Sequence, residues 1–296
     1  MERLQIKYLR NPVASLRSQK DKKTGFSWAK LSLLTNVLLL ITVFLLLYKD
    51  TEKPAPNQTN IINIEAKLEK PPAGRSLGPR QQWTYQQWVA QLEREANAVA
   101  DNPPKRLTIL AGDSISLWFP SSLLPSKNTW LNQGISGETS EGLLRRLPIL
   151  DRTKPEFIFV MIGINDVLRG FTDEHILYNY RAIIQDAKSV HPESQIVVQS
   201  ILPHSGAKAT WEGRERLLEI PNNRILELNR KIATIASEEK VKYLDLFPLF
   251  ANSEDSLRLD LTTDGLHLND QGYLVWASAL QLFSEMELNS PEIEGN

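Results

Sequence analysis

A serine, an aspartate and a histidine of this 296-residue chain could together cleave an acyl bond. A serine hydroxyl becomes a good nucleophile when a neutral imidazole removes its proton, and a carboxylate fixes the imidazole tautomer and stabilises the cation that forms. Ser114 follows the apolar stretch of "LTILAGDSIS", and Asp264 stands three residues before His267 in "DGLHLN". We predict that these three residues are the nucleophile, the acid and the base.

Two further segments could supply hydrogen-bond donors for the oxyanion that such an attack creates. The segment "GISGETS", residues 134–140, contains two glycines, which let backbone amides approach a substrate closely. The segment "GIND", residues 163–166, offers the side-chain amide of an asparagine. We therefore predict an oxyanion hole formed by the backbone amides of Ser114 and Gly137 and the side chain of Asn165.

Other polar and aromatic residues near these segments have structural interpretations beside the functional ones. Asp113 is expected to bond loop amides rather than to take part in the chemistry. Trp118 and Phe119 could border an acyl or sugar pocket, although an aromatic pair is more typical of core packing. Apart from His267, no histidine has an acidic neighbour at a useful spacing, so we interpret the other three as surface or hydrogen-bonded polar residues: His175, His191 and His204. Of these, only His204 could line the cleft.

The elements that must position these residues alternate between strand-like and helix-like patterns. Apolar runs predict strands, and amphipathic spacing predicts helices, with Thr172 as a helix cap. The predicted strands are 106–111, 129–133, 156–163, 195–202 and 241–247, and the predicted helices are 83–100, 172–190, 223–239 and 270–286. This order favours a parallel sheet covered on both faces. Because parallel strands end at one edge of a sheet, the segments above can converge there.

Four segments in this order, "AGDSIS", "NQGISGETS", "MIGIND" and "DGLHLN", resemble the four blocks of the GDSL/SGNH hydrolase family. The resemblance runs from about residue 106 to residue 283. It implies a flavodoxin-like three-layer α/β sandwich with about five parallel strands, and hydrolysis of esters or thioesters without a metal ion or other cofactor. It also assigns the family's functional positions to Ser114, Gly137, Asn165 and His267, with Asp264 as the catalytic acid.

The segments around these blocks are most similar to one branch of the family. "GISGETS" followed by "EGLLRRL", together with "GINDVLRGF", resembles the branch of lysophospholipase/thioesterase enzymes and platelet-activating-factor-acetylhydrolase-like proteins. Ile115 stands where the family name has leucine, and Glu138 stands where aspartate is frequent. Neither difference falls on a position with a predicted catalytic role.

One apolar segment predicts a membrane anchor. Residues 31–48 carry no charge, and 18 residues form a helix of about 27 Å, which is close to the thickness of a bilayer's hydrocarbon core. Eight basic and two acidic residues precede the run, so the positive-inside rule places the amino terminus in the cytoplasm. A cleaved signal peptide and a buried core helix are the alternatives, but no small-residue cleavage site follows the run.

The chain therefore divides into five predicted parts. They are a basic cytoplasmic segment (1–30), a transmembrane signal-anchor helix (31–48), a proline-containing linker (49–80), a hydrolase domain (81–288) and a tail (289–296). In this arrangement the protein crosses the membrane once, and the catalytic domain lies in the periplasm or outside the cell.

Composition narrows the function further. The net charge of −1 gives no drive toward nucleic acid, and the absence of cysteine excludes disulfides, thiolate catalysis and cysteine metal sites. We expect a membrane-anchored serine esterase or lipase whose substrate is a lipid acyl ester or a carbohydrate O-acetyl ester, and we expect no metal ion or cofactor. An O-acyltransferase with the same triad, or a non-catalytic module that binds a glycan or protein partner, are the alternatives.

Overall fold

Five parallel strands form the centre of the structure, a computed structural model that describes residues 83–288. Their order in the sheet is β2-β1-β3-β4-β5, the flavodoxin-like order. The strands are β1 (Leu107–Gly112), β2 (Thr129–Gly134), β3 (Phe157–Met161), β4 (Gln195–Gln199) and β5 (Lys242–Leu244). β1 and β3 are fully buried, as expected for strands covered on both faces. The predicted α/β fold with about five parallel strands is confirmed.

Nine α-helices, several of a single turn, precede, connect or follow the strands within residues 83–288. They are α1 (Tyr85–Asp101), α2 (Ser114–Leu117), α3 (Ser140–Arg146), α4 (Ile164–Leu168), α5 (Asp173–Val190), α6 (Arg214–Leu218), α7 (Asn222–Glu238), α8 (Phe247–Phe250) and α9 (Asp270–Phe283). The Thr172 hydroxyl accepts a hydrogen bond from the His175 amide and caps α5 as predicted.

The helices cover both faces of the sheet. Along the sheet, the connection from β1 to β2 runs toward one edge, and the connections from β2 through β3 and β4 to β5 run toward the other edge. Because both kinds of connection are right-handed, their helices lie on opposite faces of the sheet. Helices α3, α5 and α7 pack side by side on one face. On the other, α9 packs against Phe119, which follows α2, and Trp276 Nε1 donates to the Gln199 side chain in β4.

Three predicted strands are shorter in the structure than in the sequence pattern, and the first of them, predicted over 156–163, is β3 at Phe157–Met161. β4 ends at Gln199, because Ser200 turns its hydroxyl toward the segment after β5, where it accepts hydrogen bonds from the Leu246 and Phe247 amides. β5 ends at Leu244, and the apolar residues that follow form the helical turn α8, which has a proline in its first turn. An apolar run alone does not distinguish a strand from a buried helical turn.

No helix within residues 83–288 combines the length and the apolar character needed to cross a membrane. The predicted anchor, 31–48, lies outside the described residues, as do the basic segment, the linker and the tail.

Candidate active site

Ser114 begins a helical turn immediately after the central strand β1. Asp113 caps this turn, because its side chain accepts a hydrogen bond of 3.0 Å from the Ile115 amide, the structural role expected for it. The turn directs the Ser114 hydroxyl toward His267, and Ser114 Oγ lies 3.1 Å from His267 Nε2. These two residues are 153 positions apart in sequence but meet because β1 ends at the same edge of the sheet as the loop before α9.

Asp264 holds the other side of the His267 ring. Its Oδ2 lies 2.8 Å from His267 Nδ1, and its Oδ1 accepts hydrogen bonds from the backbone amides of His267 and Leu266. Burial acts to raise the pKa of Asp264, but these hydrogen bonds and the adjacent imidazole outweigh it, so the pKa is lowered. An ionised Asp264 favours a proton on Nδ1 and leaves the Nε2 lone pair facing Ser114.

A segment that sequence reasoning missed fixes the backbone of Asp264. The amides of Thr210 and Trp211 both donate to the Asp264 carbonyl, at 2.8 and 2.9 Å. The next residue, Gly265, has a φ of 90°, and a Cβ there would lie 2.5 Å from the Cβ of Ala209. Only glycine fits this backbone conformation and this close contact. The Asp-Gly pair is therefore the sequence signal that could have indicated a segment packed against the backbone at Asp264.

The three predicted oxyanion donors come from the ends of three adjacent strands. Gly137 follows β2 with a φ of 75°, Ser114 follows β1, and Asn165 follows β3. Asn165 Nδ2 donates to the Glu138 carbonyl at 3.0 Å, which ties the end of β3 to the loop after β2. Within residues 83–288, neither the Ser114 amide nor the Gly137 amide has a protein acceptor. Both amides are therefore free to donate to another molecule.

A buried set of charged and polar residues supports the loop that carries Gly137. We call it the loop network: Glu138, Ser140, Arg146, Asp166. Arg146 Nε donates to Glu138 Oε2 at 2.8 Å, and Arg146 also donates to the Gln133 carbonyl at 2.6 Å. Asp166 accepts hydrogen bonds from the backbone amide and the hydroxyl of Ser140. Sequence reasoning singled out Glu138 only as a departure from the family pattern, because no short-range pattern predicts its pairing with Arg146.

The same buried region changes the titration of Asp113. Burial, together with the charges of Asp166 and Glu138, raises the pKa of this carboxyl to about 7, although the hydrogen bond from the Ile115 amide acts in the opposite direction. Burial also raises the pKa of Asp166, although the bonds from Ser140 act in the opposite direction. Two buried carboxyls, Asp113 beside Ser114 and Asp166 in the loop network, thus hold their protons more strongly than carboxyls in water do.

The aromatic pair after Ser114 divides between core and surface. Phe119 is 5% exposed and packs against Tyr273 and Trp276 in the core. Trp118 is 49% exposed, and its ring centroid lies 4.3 Å from that of His267. The expectation of core packing is therefore right for Phe119 and wrong for Trp118.

The other histidines lie apart from these residues. His204 is buried rather than at the surface, and its ring is fully bonded, with Nε2 2.8 Å from the Ile220 carbonyl and Nδ1 accepting from the Gly206 amide. His191 is also buried, whereas His175 is exposed on α5. In the part of the chain that the structure describes, no group of three or more histidine and acidic side chains could hold a metal ion.

Two large clefts lie away from Ser114. One of about 720 Å³ is at the beginning of β4 and β5, the end of the sheet opposite to the serine, and is lined by residues such as Lys188, Gln195 and Lys242. A neighbouring cleft of about 580 Å³ is lined by Leu249, Phe283 and other apolar residues. Neither contains a nucleophile paired with a base, so the position of the candidate site follows from side-chain chemistry rather than from cavity size.

The comparison with known families agrees with this architecture. Residues 110–275 match the GDSL-like lipase/acylhydrolase family, and these residues include every candidate catalytic position. The match spans more than half of the chain, and the chain belongs to this family.

Three individual proteins illustrate the similarity. The chain is 39% identical over 107 residues to thioesterase 1/protease 1/lysophospholipase L1 of Escherichia coli, covering 32% of this chain and 51%, about half, of that protein. It is 25% identical over 217 residues to platelet-activating factor acetylhydrolase IB subunit alpha2 of Rattus norvegicus, covering 69% of this chain and 87% of that protein. The structure of a GDSL-like lipase from Bacteroides thetaiotaomicron, 22% identical, shares the fold with a TM-score of 0.57 over 67% of this chain and 98% of its own.

Proposed function

We propose that this protein is a serine esterase that hydrolyses carboxylic esters through an acyl-enzyme. The observation that carries the proposal is the continuous line of short contacts from Ser114 Oγ to His267 Nε2 at 3.1 Å and from His267 Nδ1 to Asp264 Oδ2 at 2.8 Å. Membership of the GDSL-like lipase/acylhydrolase family supports the same reaction class.

In the first step the substrate acylates the serine. Ser114 Oγ forms a bond to the carbonyl carbon while its proton passes to His267 Nε2. The tetrahedral intermediate then collapses, the bond from carbon to the alcohol oxygen breaks, and His267 returns the proton to that oxygen. Asp264 stays ionised and stabilises the imidazolium between these transfers. Water repeats the sequence on the acyl-enzyme and releases the carboxylic acid.

The negative charge of the tetrahedral intermediate falls on the former carbonyl oxygen. The Ser114 amide, the Gly137 amide and the Asn165 side chain are the proposed donors to this oxygen. Two facts support the assignment: both backbone amides lack protein acceptors within the described residues, and Asn165 uses one hydrogen bond to hold the loop that carries Gly137. A donor that is already in place requires no reorganisation when the charge develops.

The proposed substrates are lipid acyl esters or O-acetyl esters of carbohydrates. The relative from Escherichia coli is named as a thioesterase and lysophospholipase. The relative from Rattus norvegicus is named as an acetylhydrolase. These names refer to acyl groups of different lengths. They therefore support hydrolysis of an acyl bond, and both lipid acyl esters and carbohydrate O-acetyl esters stay as proposed substrates.

We also propose that residues 31–48 anchor the protein in a membrane with the hydrolase domain outside the cytoplasm. The uncharged run of 18 residues and the eight basic residues before it support this topology. Fusion of alkaline phosphatase after residue 296 should give an active reporter, whereas a green fluorescent protein fused there through the same export route should stay dark. The reverse pattern would overturn the topology.

The test of the esterase is turnover of p-nitrophenyl esters from acetate to decanoate by the full chain. We expect hydrolysis by the wild type and loss of at least about three orders of magnitude in kcat for Ser114→Ala. The matched control is Ser116→Ala, because Ser116 lies on the same helical turn and its buried hydroxyl has no hydrogen-bond partner among residues 83–288. It should keep its activity.

The same experiment distinguishes the alternatives. Labelling of Ser114 by a fluorophosphonate without hydrolysis of any ester, and with turnover on adding an alcohol acceptor, would indicate an acyltransferase. A folded wild type that neither labels nor hydrolyses would overturn the enzyme assignment and leave a binding module.

A further inference from the structure

Trp118 occupies a position next to the reacting atoms that the proposed mechanism does not use. It follows Ser114 by one helical turn, and its backbone amide donates to the Ser114 carbonyl at 3.0 Å. Its indole is 49% exposed, although the next residue, Phe119, is buried in the core. A tryptophan that leaves half of its surface in water beside a nucleophile loses much of the stabilisation that burial would give.

The indole lies against the ring of His267. The two ring centroids are 4.3 Å apart and the ring planes are inclined by 40°. The two ring nitrogens of His267 face Ser114 and Asp264, so the indole contacts the imidazole without using either nitrogen. The indole is 49% exposed, so a large part of its surface faces solvent while it packs against the imidazole.

The direction of proton transfer determines which part of an ester would reach this surface. The proton goes from Ser114 Oγ to His267 Nε2 and then to the alcohol oxygen as its bond to the acyl carbon breaks. The alcohol oxygen must therefore lie next to His267. The carbonyl oxygen points instead to the Gly137 and Asn165 donors, which come from the ends of β2 and β3.

We infer that the exposed indole of Trp118 is a subsite for the alcohol part of the ester, and that this alcohol is a ring, as in an O-acetylated sugar. This inference rests on the proposed esterase function. An indole presents a rigid, flat apolar surface, which matches the C–H face of a pyranose ring. A long acyl chain needs an apolar groove instead, and the described apolar cleft of about 580 Å³ is lined by α7, β5 and α9 residues and does not include Trp118 or Ser114.

The experiment varies the alcohol at a constant acyl group. The substrates are ethyl acetate, p-nitrophenyl acetate and methyl 6-O-acetyl-glucopyranoside, and the enzymes are the wild-type full chain, Trp118→Ala and Trp118→Phe. We expect Trp118→Ala to lower kcat/KM for the two ring esters on the order of tenfold, mainly through a higher KM, because one apolar contact is worth about that factor. Ethyl acetate should change by less than about threefold, and Trp118→Phe should restore most of the loss.

A second series varies the acyl group at a constant alcohol. With p-nitrophenyl acetate, butyrate and octanoate, Trp118→Ala should keep the wild-type order of preference, because the acyl chain lies away from the indole. An equal loss of kcat on all alcohols would mean that Trp118 only holds the His267 ring, and would overturn the subsite. A change confined to the longer acyl groups would overturn it too, and would make Trp118 part of an acyl pocket.

Binding without turnover separates this inference from the esterase proposal. In the Ser114→Ala background, calorimetric titration with methyl 6-O-acetyl-glucopyranoside should show affinity that falls about tenfold when Trp118→Ala is added. If the wild type hydrolyses no ester but this difference is found, the esterase proposal fails and the sugar subsite stands. If esters are hydrolysed but the difference is missing, the subsite fails alone.

Discussion

The catalytic line and the loop network lie at the same edge of the sheet but in different environments. The catalytic line is the proposed triad of Ser114, His267 and Asp264, and the side chains of the last two are 9% and 25% exposed. In the loop network, the side chains of Glu138 and Arg146 are both 2% exposed. Both regions place a carboxylate against a cation or a potential cation, at the same distance of 2.8 Å.

The difference in exposure corresponds to a difference in role: the catalytic line changes its charge during the proposed reaction, and the loop network keeps its charges. In the proposed mechanism His267 gains and loses a proton in each step, and a partly open site allows the alcohol and the water to reach it. Arg146 stays charged, and burial makes its ion pair with Glu138 expensive to break. Substitutions in the catalytic line should therefore affect the rate, and those in the loop network the free energy of unfolding.

The largest effect is expected for His267→Ala. Without the base, Ser114 remains protonated, and kcat for p-nitrophenyl acetate should fall by about 10⁴-fold or more. The free energy of unfolding, measured with urea, should fall by less than about 3 kcal/mol, the lower end for a broken buried ion pair, because Asp264 is partly exposed and keeps the hydrogen bonds from the Leu266 and His267 amides. His175→Ala, at an exposed position on α5, is the control and should match the wild type. A large loss of stability in His267→Ala would contradict the view that the catalytic line affects the rate and the loop network the stability.

The next effect compares two adjacent arginines. Arg146→Met leaves the Glu138 carboxylate buried without its partner and should lower the free energy of unfolding by about 3–5 kcal/mol. Arg145→Met removes an exposed pair with Glu141, in which the side chains are 66% and 42% exposed, and should cost about 0.5 kcal/mol or less. Urea denaturation of both variants provides the measurement. Similar costs at the two positions would contradict the role given to the loop network.

A smaller effect is expected where the two regions meet. Asn165→Ala removes one proposed oxyanion donor and should lower kcat by about 10²-fold to 10³-fold with little change in KM. It also removes the hydrogen bond to the Glu138 carbonyl, so thermal unfolding must be measured on the same sample. Asn179→Ala is the control, because Asn179 Nδ2 donates to the Ser140 hydroxyl of the loop network without a proposed catalytic role. If both variants lose the same activity, Asn165 only supports the loop.

The last prediction concerns the pH dependence of stability and Asp113. Its folded-state pKa of about 7 lies above the usual 3.8, so the folded protein binds more protons than the unfolded chain between these values. Its contribution to stability is therefore present below about pH 4 and is lost as the pH rises through about 7. Asp113→Asn keeps an acceptor for the Ile115 amide and should show a flatter decline in the free energy of unfolding from pH 4.5 to 7.5. Parallel curves for the two proteins would show that Asp113 does not titrate in this window.

The sequence predicted the parts of this protein that depend on local patterns. Apolar strands that end in Gly-Asp-Ser and Gly-Ile-Asn-Asp are short-range signals, and a parallel sheet brings their ends together whatever the length of the connections. The pairing of Glu138 with Arg146 and the amides of Thr210 and Trp211 on Asp264 depend on tertiary contacts between segments, which no local pattern contains. Trp118 and Phe119 have similar side chains, and only the direction of one helical turn decides which of them is exposed.

The short outer strand β5 has a consequence for how the protein behaves at high concentration. β5 has three residues and begins with a lysine, and it forms one border of the sheet. A border strand of three residues offers few unpaired backbone groups, and the charged pair of Lys242 with Glu287 at its start disfavours the docking of another strand. We therefore expect this side of the sheet to resist joining another chain into a continuous intermolecular sheet, the route by which many β-containing proteins aggregate.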